Sequence, residues 1–225
     1  MDFSAVNSFL FDLDGTLVDS VPDLAANIDR TLLAMGRPPA GVRHVSRWIG
    51  NGLDRLLNRA LTGDMDGVAN QETLARARQL FEDYYGRFIC EESRLYDGVP
   101  ELLQALQARH AKMAIVSNKP TALAIRLLEL LGILDCFETV AGGGDTALLK
   151  PDPSLLLVAL QRLDRPAATA LMVGDSINDI KAAQAAGVSC VAVSFGYNHG
   201  SDIRVANADL VIDSLHELTA LLSSP

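Results

Sequence analysis

Cysteine is scarce in this chain of 225 residues. Cys90, Cys136 and Cys190 are its three thiols, and no Cys-x-x-Cys or Cys/His spacing joins them. That pattern argues against a thiolate zinc site and against a disulfide framework, and it fits reduced thiols in a cytoplasmic protein. No apolar run approaches the ~20 residues that cross a bilayer. The start of the chain lacks the basic and long apolar regions of a signal peptide. The cytoplasm is therefore the expected compartment, and no membrane partner is expected. Basic charge is also in deficit: 19 Lys and Arg stand against 28 Asp and Glu, a formal net charge of −9. An electrostatic nucleic-acid binder needs a basic face, so no nucleic-acid partner is expected. A small anionic substrate stays open, because a local cation overrides the global field. Repeats and low-complexity segments are absent as well.

What is present is an aliphatic chain, 49% hydrophobic, with one concentrated acidic signal near its start. The apolar run Ser8-Phe9-Leu10-Phe11 leads directly into Asp12-Leu13-Asp14-Gly15-Thr16. A buried strand ending in Asp-x-Asp-Gly delivers its carboxylates where open parallel sheets place their ligand sites. Residues i and i+2 of a strand share a face, so both carboxylates can face one point. Two such anions repel unless a cation is near. Mg²⁺ suits them as a hard, oxygen-seeking ion, and Mn²⁺ shares the preference. The plainer alternative is a strand-to-helix turn in which Asp14 only caps the next turn.

From about Val18 to Glu92 the helical period dominates, with no convincing strand. Leu24, Ile28, Thr31, Leu32 and Met35 recur at spacings of three and four, as do Leu53, Leu56, Leu57, Ala60 and Leu61. Leu74, Ala77, Leu80, Phe81, Tyr84 and Phe88 mark a third helix. From Leu95 the chain alternates. Helices are expected over 99–109, 122–131, 153–163, 180–186 and 215–222, and strands over 112–117, 138–141, 170–173, 189–193 and 210–212. Strands separated by helices of this length imply right-handed βαβ units. The expected fold class is α/β, a Rossmann-like doubly wound parallel sheet with an inserted helical cap. Residues 1–17 and 93–225 form the core and 18–92 the cap.

Several of these strands end in polar groups that one sheet edge would gather: Asp12 and Asp14; Ser117 and Asn118; Gly174-Asp175-Ser176-Ile177-Asn178-Asp179; and Lys150 in a nearby loop. Asp12 is suited to attack phosphorus and form an acyl-phosphate. Asp14 can protonate the leaving alcohol and then activate water. Ser117 and an amide near Asn118 can hold phosphate oxygens. Lys150 can neutralise both carboxylate and phosphoryl charge. Asp175 is the further metal ligand, and Asp179 can bind or orient the metal shell. Taken singly, each has a blander reading: Ser117 and Asn118 as turn or cap residues, Lys150 as a surface charge, Asp179 as a first-turn acid. In the insert, the amides of Gly50, Asn51 and Gly52 can approach a small anion, and Arg47 can pair with a carboxylate. The alternative there is a solvated helix residue followed by a turn.

With these residues in hand, the chain resembles the haloacid dehalogenase superfamily of phosphatases. The motifs Asp12-Leu13-Asp14-Gly15-Thr16, Val116-Ser117-Asn118, Lys150-Pro151 and Gly174-Asp175-Ser176-Ile177-Asn178-Asp179 stand in that family's order. The resemblance implies a Mg²⁺ ion, a phosphoaspartyl intermediate on Asp12, the backbone carbonyl of Asp14 as a metal ligand, and a cap that closes over the site. Trp48-Ile49-Gly50-Asn51-Gly52, Ser117-Asn118-Lys119-Pro120-Thr121 and Phe195-Gly196-Tyr197-Asn198-His199-Gly200 look like segments of its bacterial phosphoglycolate phosphatases. Ser117 stands where these often have Thr, and Leu149 where a second Lys is common. The expected partner is a small phosphorylated metabolite, most simply 2-phosphoglycolate, acted on by a monomer or homodimer. A sugar phosphomutase shares the paired acids, and a non-enzymatic phosphoryl-accepting receiver also gathers carboxylates at strand ends. A receiver has no need of a ~75-residue lid.

Overall fold

A computed structural model describes residues 3–223. Its centre is a six-stranded, all-parallel sheet. The strands are β1 (Ser8–Phe11), β4 (Lys112–Pro120), β5 (Thr139–Gly143), β6 (Ala170–Gly174), β7 (Ser189–Val193) and β8 (Leu210–Ile212), in the order β5-β4-β1-β6-β7-β8. Phe9 and Phe11 face one apolar cluster and Leu10 the other, the alternation that a strand buried on both faces requires. Helices α7 (Ser154–Leu163) and α8 (Ile177–Ala186) cover the Leu10 face, burying Leu155, Leu156, Ile180 and Ala183 there. Helices α5 (Val99–Ala108), α6 (Thr121–Leu130) and α9 (Leu215–Ser223) cover the Phe9 face with Leu102, Leu127 and Leu218.

Strand β1 is flanked by β4 on one side and β6 on the other. The chain order therefore reverses at β1, and the carboxyl end of that strand opens on the crevice where such sheets bind ligands.

Between β1 and β4 the chain builds α1 (Val21–Ala34), α2 (Val42–Trp48), α3 (Leu53–Thr62) and α4 (Gln71–Arg87). Ile28, Leu57, Phe81 and Tyr85 pack together in continuity with the Phe9 cluster. The α/β class, the parallel sheet and the helical insert agree with the sequence reading.

Two details correct it. A short strand, β2 (Val18–Asp19), stands inside the stretch read as strand-free, and it pairs antiparallel with β3 (Arg94–Leu95). Two residues are too few to show a period of two. Helix α2 escaped notice for a similar reason: it is seven residues long and buries only Val45 and Trp48. No helix among the described residues is long and apolar enough to cross a membrane.

Candidate active site

Each acid in the site is placed by the end of a strand. Asp12 and Asp14 follow β1, and Asp175 follows β6. Asp179 lies in the first turn of α8, where its Oδ2 accepts from the Ser176 amide (3.0 Å) and hydroxyl (2.8 Å) and so fixes the helix start. Oxygens of Asp12, Asp175 and Asp179 lie within 4.8 Å of one another. Asp175 accepts from the Thr16 hydroxyl (3.1 Å) and the Tyr197 amide (2.7 Å). Backbone packs so tightly on it that a Cβ at Gly15, whose φ is +91°, or at Gly196 would overlap its carboxylate. Glycine at both positions is what admits the acid.

Lys150 reaches this cluster from the loop after β5. Its Nζ donates to Val116 O (2.6 Å) and Asp179 Oδ1 (2.6 Å) and pairs with Asp12 Oδ1 (3.0 Å). Three donors meet three acceptors, so the ammonium is saturated. Burial on its own depresses the Lys150 pKa, but Asp12 and Asp179 outweigh it and hold the ammonium above the ordinary lysine range. Burial pushes Asp12 up to about 6, with Lys150 pulling back and Asp179 and Asp14 adding to the rise. Asp175 is raised well above the usual carboxylate range by burial and by its neighbours Asp12 and Asp179.

Two of the three clustered acids, Asp12 and Asp179, thus share one ammonium, and Asp175 stands beside them without a cationic partner. The donor set is all oxygen and carries surplus negative charge, which fits a hard divalent cation. Asp12 meets Lys150 through Oδ1, and each Asp175 oxygen accepts one hydrogen bond, from Thr16 or Tyr197, and so keeps a second lone pair for it. Asp179 has both oxygens committed to Ser176 and Lys150.

Ser117 is buried at the edge of the same cavity, where its Oγ accepts from the Lys119 amide (3.3 Å). Asn118 acts as a staple. Its Nδ2 donates to Lys150 O (2.9 Å) and to Gly50 O of the insert (2.9 Å), and its Oδ1 accepts from the Lys150 amide (2.8 Å). Asn178 Nδ2 also donates to Gly50 O (3.1 Å). The insert is therefore seated on the core. The cavity between them, about 60 Å³, counts Asp12, Asp14, Ser117, Asn118, Lys119 and Lys150 among its polar lining, together with Gly50 and Gly52 of the insert.

Arg47 and Asn51 do not line the cavity. Arg47 is exposed at the end of α2, because the next residue, Trp48, turns inward to pack; what Arg47 offers inward is its carbonyl, in contact with His199 Nδ1 (3.2 Å).

Sequence reasoning assigned no role to Lys119. Its Nζ meets both oxygens of Asp14 (3.0 Å each) and the hydroxyl of Tyr85 on α4 (2.8 Å). Asp14 also accepts from Ser20 Oγ (2.5 Å). The signal was available: Lys119 stands two residues after Ser117, hence on the same side of an extended strand.

A sequence profile described as haloacid dehalogenase-like hydrolase matches residues 6–187. The chain is 43% identical to a phosphoglycolate phosphatase of Pseudomonas putida over 96% of its own length and 79% of that protein's. It is 43% identical to a phosphoglycolate phosphatase of Nitrosococcus oceani over 95% of both. Its fold is similar to the crystal structure of a predicted phosphoglycolate phosphatase from Haemophilus somnus. That match has a TM-score of 0.90 and 33% identity, and covers 98% of this chain and 99% of that one.

Proposed function

Because this chain belongs to the haloacid dehalogenase-like hydrolase family, we propose that it is a Mg²⁺-dependent phosphomonoesterase that converts 2-phosphoglycolate and water to glycolate and phosphate. The observation that supports this most is the buried Lys150 ammonium held between Asp12 and Asp179 beside Asp175. It pairs a carboxylate nucleophile with a fixed positive charge at the point where a phosphoryl group would arrive. The substrate follows from the phosphoglycolate phosphatases that the chain resembles. A cavity of about 60 Å³ agrees, being far below the ~300 Å³ at which pockets for drug-sized ligands begin.

In this reading residues 18–92 are a cap over a catalytic core of 1–17 and 93–225. Asp12 attacks phosphorus; a P–O bond to its carboxylate forms and the P–O bond to glycolate breaks. Asp14 gives its proton to the departing glycolate oxygen. It then takes a proton from the water that attacks the phosphoaspartyl group, which frees phosphate and restores Asp12. Lys150 offsets charge on Asp12 and on the transferring oxygens, and Ser117 with amides near Asn118 binds those oxygens. Asp12, Asp175 and the Asp14 carbonyl would hold Mg²⁺, with Asp179 orienting Lys150 and the metal's surroundings. The ion, when bound, lowers the repulsion between carboxylate and phosphate.

A phosphate-release assay over a panel of metabolite esters tests this. Turnover should be fastest on 2-phosphoglycolate, stop with a chelator, and fall by at least ~10⁴-fold in Asp12→Asn, the scale of losing a nucleophile. A panel led by a sugar phosphate or a nucleotide would reject the substrate.

A further inference from the structure

Lys119 is a buried ammonium to which the proposed reaction gives no task. It sits in the same cavity as Asp12 and Ser117, and besides Lys150 it is the only cationic side chain in the lining. Lys150 has no donor to spare. Lys119 also meets three acceptor atoms, but two of them are the paired oxygens of one carboxylate, Asp14, and the third is the Tyr85 hydroxyl; a second anion can therefore take one of its protons while Asp14 keeps the other.

Its location relative to Asp14 is informative. If Asp14 protonates the leaving oxygen, the cation 3.0 Å from Asp14 borders the space that the rest of the leaving group must enter. In glycolate, the carboxylate is joined to that oxygen through a single CH₂. The apolar part of the lining comprises Leu24, Ile49, Leu53, Leu56, Phe81 and Leu123, none of which can pair with an anion. An unpaired carboxylate against such walls is costly. Arg47, the cation that the sequence offered for this task, is not in the cavity.

We infer that Lys119 is the specificity-determining residue of this site, pairing with an anionic group carried on the leaving alcohol, with Tyr85 holding the ammonium in place. This deepens the phosphoglycolate reading and rests on it. The substrate carboxylate and the Asp14 carboxylate then compete for one cation. A substrate of the right charge thereby loosens Asp14 from its resting partner, whereas an uncharged leaving group leaves Asp14 tied.

The test compares kcat/KM, with Mg²⁺ present, for 2-phosphoglycolate and for ethyl phosphate, which keeps the two-carbon length and lacks the carboxylate. Wild type should favour 2-phosphoglycolate by at least about 30-fold, the lower range for a desolvated charge pair. In Lys119→Met that ratio should fall at least tenfold, and Lys119→Arg, which keeps the charge, should retain more of it. A wild type that discriminates while Lys119→Met loses less than tenfold of the ratio overturns the assignment and leaves the substrate reading standing. A wild-type ratio below tenfold overturns it without any variant. A wild type that releases phosphate from neither ester overturns the substrate reading itself.

Discussion

Protonating His199 works against the fold. Its ring lies against the backbone of Gly50 and beneath the carbonyl of Arg47. Burial lowers its pKa below 6.5, Arg59 lowers it further, and the Arg47 carbonyl and Asp179 pull the other way. The native state thus resists a proton that the unfolded chain accepts. Its stability contribution is complete above the unfolded value of 6.5 and is lost as pH falls through that value toward the folded one. The raised carboxyls of Asp12 and Asp175 slope in the opposite direction, so the histidine must be isolated by difference. Thermal melts between pH 7.5 and 5.5 should show wild type losing more Tm on acidification than His199→Gln, and parallel curves would refute this. The residue scale is also where the sequence was least legible. Lys119, Tyr85 and Tyr197 owe their positions to partners that are distant in the chain: Tyr85 meets Lys119 across 34 positions, and the Tyr197 hydroxyl contacts the Ser20 amide across 177. No spacing rule covers such separations. Asp12, Asp14 and Asp175 were legible because each closes a strand, and a strand end can be read locally.

Among elements, the least obvious construction is the base of the insert. Asp23, in the first turn of α1, is buried, and it accepts from the amides of Glu92 (3.1 Å) and Ser93 (2.8 Å) and from the Ser93 hydroxyl (2.6 Å). The Asn27 amide of the same helix donates to Phe88 O (3.1 Å). Together with the β2–β3 pair, these bonds fasten the way out of the core to the way back. In sequence, Asp23 reads as one more first-turn acid favoured by the helix dipole; the donors it satisfies lie 69 and 70 positions away. Asp23→Ala strands several donors at once, at about 1–3 kcal/mol for each one left buried. A loss of about 3 kcal/mol corresponds to a Tm drop of roughly 6–12 °C in a chain of this size. A melt within about 2 °C of wild type would show that water satisfies these groups instead.

At the scale of the whole molecule, an acidic chain has gathered Asp12, Asp175 and Asp179 at one point, where Lys150 pairs with Asp12 and Asp179. A dication bound there acts on the folded state alone. At 100 times its dissociation constant it adds about 2.7 kcal/mol, or roughly 5–11 °C of Tm. Chelator should remove that increment, and Asp175→Asn should abolish most of it; a Tm indifferent to Mg²⁺ from micromolar to millimolar would argue against the ion. The sheet was legible at this scale as a set of strands, since aliphatic runs between helices have few alternatives. Its order was not. That β1 lies between β4 and β6 is a property of how two crossovers pack, which no segment of the chain records by itself. The resemblance of the four motifs supplied what periodicity lacked.

The carbonyl of Gly50, taken by two asparagine amides of the core, has a consequence for how such an enzyme diversifies. The insert is held to the core through a main-chain atom, which every amino acid possesses. Substitutions among the apolar residues that line the cavity can therefore reshape what the chamber accepts while the docking bond persists, so selectivity and the seating of the insert can evolve independently.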